Sequence, residues 1–302
     1  MTSRHHRTDH PWLKTSSGEP RGFIDPHRLR EVWFHTGTIC NLSCPDCFEH
    51  SSPGDRRLWM VQFDDVKPFI AEAVELGVEQ FSFTGGEPFV VHDMVKILDY
   101  ALDFRPCLVL TNGTRPLQSR LKDIVPLIRK KHPLSFRVSL DFPDIGKHDA
   151  LRGAGMFKLS LETLGELHRA GFHVSVARRR EPGEKTASAD AAFLPFFESA
   201  ELPADTPIIS FPNLGSTETP EITETCMTTC HSPQTCARFM CAFSRMVVKQ
   251  QGEMRVYACT LVDDHPHYDL GSSLTESADV RVMLGHSRCF ACFAGGASCS
   301  EL

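Results

Sequence analysis

The sequence predicts an α/β protein in which six βα units form an open, partial (β/α)6 barrel, followed by a small cysteine-rich α+β domain. Three observations predict it. Short runs rich in β-branched and aromatic residues alternate with longer stretches of helical periodicity, the pattern of a parallel sheet. Glycines fall where those helices must stop before the next strand. Eight of the twelve cysteines lie after residue 220, where the alternation ends.

The elements follow in order. Candidate strands are EVWFHTG from Glu31, EQFSF from Glu79, CLVL from Cys107, LSFRVSL from Leu134, HVSVA from His173 and PIIS from Pro207. After the first, Asp64 is the expected N-cap of a helix carrying Val66, Ile70 and Val74 on one face and stopping at Gly77. A second helix from Phe157 aligns Leu161, Leu164 and His168 and stops at Gly171. In barrels of this kind the chemistry sits at the carboxyl ends of the strands. The expected division is a polar extension over residues 1–28, a core over 29–215 and a cysteine-rich domain over 216–302.

Composition narrows the function. The chain has 302 residues, 41% hydrophobic and 23% charged, with a net charge of −6, and so lacks the basic footprint of a nucleic-acid or anionic-membrane binder. No apolar run approaches the ~20 residues of a membrane span, and the N-terminus lacks the apolar core of a secretion signal. A cytoplasmic location is expected. Cysteines there stay reduced, so clustered ones are metal ligands or redox groups before they are disulfides.

CNLSCPDCFEH places Cys40, Cys44 and Cys47 in the loop after the first strand with no fourth cysteine nearby. Thiolates suit zinc and iron–sulfur clusters alike, but structural zinc normally closes with four ligands. A 4Fe-4S cluster on three cysteines leaves one iron open to a small molecule. Zinc completed by His50 or His35 is the alternative. One strand later, FTGGEP supplies Gly85, Gly86, Glu87 and Pro88: glycines allow close main-chain approach, and a carboxylate complements an ammonium.

The two motifs together resemble the radical S-adenosylmethionine superfamily, and shorter matches carry the resemblance over roughly residues 31 to 215. It implies that Cys40, Cys44 and Cys47 hold a 4Fe-4S cluster and that the Gly85–Pro88 stretch receives the co-substrate's amino group. It further implies that Thr111, Asn112, Ser139 and Asp141, at the ends of the third and fourth strands, hold its ribose and carboxylate. Arg152 would pair with that carboxylate, a task suited to a planar guanidinium. Asp46 departs from the family, where many members carry an aromatic residue or histidine before the third cysteine. Adenine contacts in this loop are correspondingly open.

In the C-terminal quarter, Cys241 and Cys259 flank two β-like runs around Gly252, and Cys289 and Cys292 form a C-x-x-C pair. A hairpin followed by that turn gathers four thiolates. The arrangement resembles the Twitch domain, a shorter relative of the SPASM domain, and implies a second, auxiliary 4Fe-4S cluster; a zinc ribbon is the alternative. Cys226, Cys230, Cys236 and Cys299 match no motif and are candidate thiol hydrogen donors. Cys107, in an apolar strand, is a small hydrophobe. The triplet Arg178, Arg179 and Arg180 either binds an anionic substrate group or is solvated, and His5, His6 and His10 are surface residues.

The implied activity is reductive cleavage of S-adenosylmethionine to a 5'-deoxyadenosyl radical that abstracts hydrogen from a substrate. Two-electron oxidation of a small molecule, with the auxiliary cluster as electron sink, ranks first. Alternatives are an epimerase using a cysteine hydrogen donor and a peptide-modifying maturase, which ranks lower because little chain precedes Glu31 to recognise a leader. An external one-electron reductant of flavodoxin or ferredoxin type is an expected partner. A plain iron–sulfur carrier or zinc-binding module has no use for an open iron.

Overall fold

A computed structural model describes residues 11–212, 214, 219–263 and 265–295. All six predicted strands form: β1 (Glu31–His35), β2 (Gln80–Thr84), β3 (Cys107–Thr111), β4 (Leu134–Ser139), β5 (His173–Arg179) and β6 (Ile208–Phe211). They pair in sequence order, every neighbour parallel. The hairpin around Gly252 also forms, as β7 (Ser244–Gln250) and β8 (Glu253–Tyr257). Rather than standing apart, it extends the same sheet: β7 lies parallel to β1, with Glu31 opposite Ser244. The order across the sheet is therefore β6-β5-β4-β3-β2-β1-β7-β8.

This placement buries β1 completely, as expected of a strand with neighbours on both edges and layers on both faces. Val32 and Phe34 face the helical layer with α1 (Phe63–Glu75), α2 (Met94–Ala101) and α4 (Met156–Arg169), where Phe34 stacks on Phe83. Trp33 faces the opposite side, with Met246, Val248 and Tyr257. There the C-terminal quarter closes over the sheet through Phe239, Phe243, Tyr268 and Val282. Between β4 and β5, α3 (Ile145–Arg152) precedes α4.

Helix α1 starts earlier than expected. Its N-cap is Gln62, whose backbone N–H donates to the Asp65 carboxylate at 2.7 Å, and Asp64 sits inside the first turn. Carboxylates there complement the positive end of the helix dipole, so an acidic residue near a helix start need not be the cap itself. Gly77 and Gly171 end α1 and α4 with φ of 75° and 95°. In α4 the buried stripe runs through Leu161, Leu164 and Leu167, and His168 lies half-buried beside it. No helix among the described residues is long and apolar enough to cross a membrane.

Candidate functional site

The cysteine loop leaves the carboxyl end of β1 and is held by backbone bonds on both sides. Gly86 N–H donates to Gly37 O at 2.9 Å and Glu87 N–H to Ile39 O at 3.1 Å, while Cys40 N–H reaches Ser52 O. The approach explains the paired glycines. A Cβ on Gly85 would lie 2.7 Å from Gly37 O, and one on Gly86 only 2.3 Å from Ile39 O. The closeness that requires glycine is thus to the cysteine loop's own main chain. Pro88 opens a short buried turn, Pro88–Val90.

Glu87 points inward. Its carboxylate accepts from Asn112 N at 2.8 Å, Phe89 N at 3.1 Å and Thr111 Oγ1 at 2.9 Å, fully buried. Burial pushes it up to about 7, against the pull of those donors. It therefore ties the end of β3 to the turn after β2, and its side chain is spent on protein donors. Asn112 Nδ2 in turn donates to Asn41 Oδ1 at 2.9 Å and lies 3.8 Å from Cys40 Sγ. Ser139 closes β4 opposite Ala177 of β5.

Burial pushes the Cys40 thiol up to about 12, and the Glu87, Cys44 and Cys47 charges add to it. Burial also raises Cys44, opposed by the Arg152 guanidinium. Any metal bound here must first displace protons from these sulfurs. Arg152 is itself committed: Nη2 donates to Asp141 Oδ1 at 3.1 Å and Nε to Oδ2. Although burial opposes it, the Arg152 charge and hydrogen bonds, with Arg179, hold Asp141 below the usual carboxylate range. Burial, with the Arg152 charge, depresses His148 to about 4, and its Nδ1 accepts from Asp141 N at 3.1 Å. Arg179 completes the assembly, donating to Asp46 O at 2.8 Å and lying 3.4 Å from Asp141. Asp46, the departure noted in the sequence, is where β5 grips the cysteine loop.

His35 and His50 were the candidates for completing a zinc site. His50 is exposed with φ 51°, whereas His35 is buried, its Nδ1 accepting from Gly37 N–H at 3.1 Å. That bond puts the imidazole proton on Nε2, which faces Glu49 at 3.2 Å and Asp263 at 3.8 Å. Among the described residues, this is the one set of three metal-capable side chains with donor atoms all within 4.8 Å. The protonated Nε2 makes it a brace between loops. The cysteine trio lies wider than that limit, whereas one tetrahedral zinc would draw sulfurs to about 3.8 Å. Three thiols on one loop are a donor set that fits an iron–sulfur cluster with one open iron.

Cys241, Cys259, Cys289 and Cys292 line one cavity beneath the C-terminal quarter, with Tyr268 and Leu261. Cys289 and Cys292 sit on α6 (Ser287–Gly295). Burial raises Cys241 and Cys259 and pushes Cys289 up to about 11. Tyr268 Oη lies 3.6 Å from Cys289 Sγ and accepts from the N–H groups of Gly285 and His286, fixing the entry to α6. Four thiols on one cavity also fit a cluster. Cys226, on α5 (Glu224–Cys230), Cys230 and Cys236 lie outside this cavity; Cys226 accepts from Thr223 Oγ1 at 3.2 Å, which lowers its thiol, and Cys230 is exposed. Cys299 and His5, His6 and His10 lie outside the described residues. Cys107 is buried in β3.

The two cysteine sites are joined by a contact that sequence reasoning missed. Arg288, beside Cys289, donates from Nη2 to Phe48 O at 2.9 Å and from Nη1 to Leu261 O at 3.0 Å. Phe48 follows Cys47, and the Asp263 contact to the His35–Glu49 pair lies alongside. An isolated arginine carries no local signal of a partner 240 residues away in the chain.

Residues 34–178 match the family described as the Radical SAM superfamily. The matched segment, just under half of the chain, is similar to a radical SAM domain. It is 34% identical over 140 residues to the antilisterial bacteriocin subtilosin biosynthesis protein AlbA of Bacillus subtilis, covering 46% of this chain and 30% of AlbA. It is 28% identical over 151 residues to the AdoMet-dependent heme synthase of Nitratidesulfovibrio vulgaris, covering 45% of this chain and 36% of the synthase. The chain thus spans about a third of the length of these relatives. In fold it is similar to Streptococcus suis SuiB, with a TM-score of 0.61 at 12% identity, over 84% of this chain and 66% of SuiB. The radical SAM match begins within β1 and ends within β5, so it contains the cysteine loop, the Gly85–Pro88 turn and the Asp141–Arg152 pair.

Proposed function

We propose that this chain is a radical SAM enzyme that oxidises a small molecule by two electrons, with a second cluster on Cys241, Cys259, Cys289 and Cys292 as electron sink. The observation that supports it is the joining of a three-cysteine loop to a four-cysteine cavity through Arg288 and Phe48. Cys40, Cys44 and Cys47 would hold a 4Fe-4S cluster, which when bound would supply the electron for reductive cleavage of S-adenosylmethionine. The chain's own residues hold the geometry. Glu87 locks the turns after β2 and β3, and Arg152 and Asp141 set a paired charge beside Cys44. Arg179 fixes the loop through Asp46. Backbone of Gly85 and Gly86, the Asn112 side chain and the Asp141–Arg152 pair are the groups offered to the co-substrate, and water must be kept from the radical by a substrate seated against this rim. The reductant is an external flavodoxin- or ferredoxin-type protein.

After anaerobic reconstitution, dithionite with S-adenosylmethionine should release 5'-deoxyadenosine. Replacing Cys40, Cys44 and Cys47 together by alanine should abolish release while the iron on the second site remains. Release that persists in this triple variant removes the assignment. The likeness to AlbA, a bacteriocin biosynthesis protein, favours a second reading in which the substrate is a peptide. Solvent deuterium separates oxidation from epimerisation: label entering the product, and lost in a Cys226, Cys230, Cys236 or Cys299 variant, identifies an epimerase.

A further inference from the structure

We propose that the cleft between the β5–β6 rim and α6 binds an anionic group of the substrate, a carboxylate or a phosphate, with the Arg180 guanidinium as its counter-charge. The inference rests on the radical SAM reading above and adds to it the chemical class of the substrate.

The three consecutive arginines after β5 have different fates. Arg178 is buried and ion-paired to Glu184 at 2.6 Å and Asp190 at 2.7 Å. Arg179 is taken by Asp46 and Asp141. Arg180 is pinned by its backbone N–H to Phe211 O at 2.8 Å, but among the described residues nothing hydrogen-bonds or ion-pairs with its guanidinium. Glu184, an acid close enough to feel the Arg180 charge, is already held by Arg178.

That guanidinium lines a cleft of about 280 Å³ together with Pro212, Ser287, Arg288 and Phe290. Such a volume holds the body of a small organic molecule, not merely an ion. Arg288, on the same cleft, donates to two backbone carbonyls. No acidic residue among the described residues lines the cleft. The end of α6 packs close, since a Cβ on Gly295 would lie 3.2 Å from Arg180 Nη2. An oxyanion is the complement that a guanidinium fork selects, and Phe290 and Pro212 offer apolar surface to the rest of the ligand.

The location matches the chemistry. Arg179, the neighbour of Arg180, grips Asp46 between Cys44 and Cys47, and Arg288, across the cleft, precedes Cys289. An anion held here is bordered by segments that lead directly to both cysteine sites.

Calorimetry on the reconstituted holoenzyme tests this with phenylacetate, phenyl phosphate and the neutral phenylacetamide. At least one anion should bind about tenfold or more tightly than the amide, and its affinity should fall with added salt. Arg180→Gln should weaken that anion by about tenfold or more, and Arg180→Lys, which keeps the charge, should weaken it less. Iron content and circular dichroism report that both variants are folded, and if Arg180→Gln is not, the comparison of wild type with Arg180→Lys and the amide decides. The preferred anion identifies the group as carboxylate or phosphate. Equal binding of anions and amide, or anion binding unchanged in Arg180→Gln, overturns the proposal. Calorimetry needs no turnover, so a failure here is distinguishable from a failure of S-adenosylmethionine cleavage.

Discussion

Replacing Gly86 by alanine should damage the cysteine loop without touching a cysteine. The added Cβ would lie 2.3 Å from Ile39 O and 2.8 Å from Thr38 O, both backbone atoms with no flexible end to swing away. The two strands of main chain must separate, and separation breaks the bonds from Gly86 N to Gly37 O and from Glu87 N to Ile39 O. Overpacking costs about 1–3 kcal/mol and each backbone bond about 0.5–1.5 kcal/mol, so the expected loss is about 2–6 kcal/mol. Urea unfolding of the metal-free protein measures it, and iron bound per chain after reconstitution reports whether the loop can still take up the proposed cluster. The control is Gly54→Ala, where a Cβ meets nothing within 4 Å and the loss should stay within about 0.5 kcal/mol. If Gly86→Ala unfolds with the same midpoint as Gly54→Ala and takes up full iron, the close approach of the two loops is not what requires glycine.

Other expectations follow from the same geometry. Glu87, raised by burial from 4.5 to about 7, binds more protons folded than unfolded between those values, so its contribution is full at low pH and declines as pH rises towards 7. The stability of wild type minus that of Glu87→Gln should accordingly fall by about 3 kcal/mol across that window in urea titrations of metal-free protein, and a flat difference contradicts it. Asp141→Asn leaves the buried Arg152 charge without its carboxylate and should cost about 3 kcal/mol, whereas Asp46→Asn, which spares the backbone carbonyl that Arg179 uses, should cost under about 1. Arg288→Met removes the bond to Phe48 O, and amide hydrogen exchange at Phe48–His50 should accelerate by ~10-fold.

The strands and the cysteine loop were legible because each announces itself locally, by apolar runs between glycines or by thiol spacing. The hairpin around Gly252 was legible for the same reason, but its attachment to β1 was not, since Glu31 and Ser244 carry no local mark of being partners. Side-chain destinations were legible least. The acidic residue of FTGGEP suggested a partner for an ammonium, yet burial turned Glu87 towards Thr111 and Asn112. Arg152 suggested a partner for a ligand carboxylate, and its pairing with Asp141 was not foreseen, since it depends on residues eleven positions apart meeting at one rim. The Arg178–Arg180 triplet looked uniform in sequence and divides into three environments because consecutive residues leave a strand in alternating directions.

The insertion of β7 beside β1 also sets an order of assembly. The first barrel strand cannot fill its second edge until the chain has been made as far as residues 244–247, long after the cysteine loop has emerged. Such a long-range pairing is slow to close and leaves an open strand edge during synthesis. Delivery of the cluster proposed for Cys40, Cys44 and Cys47 is therefore best matched to a finished polypeptide, and truncation before the hairpin would leave a nascent, aggregation-prone sheet.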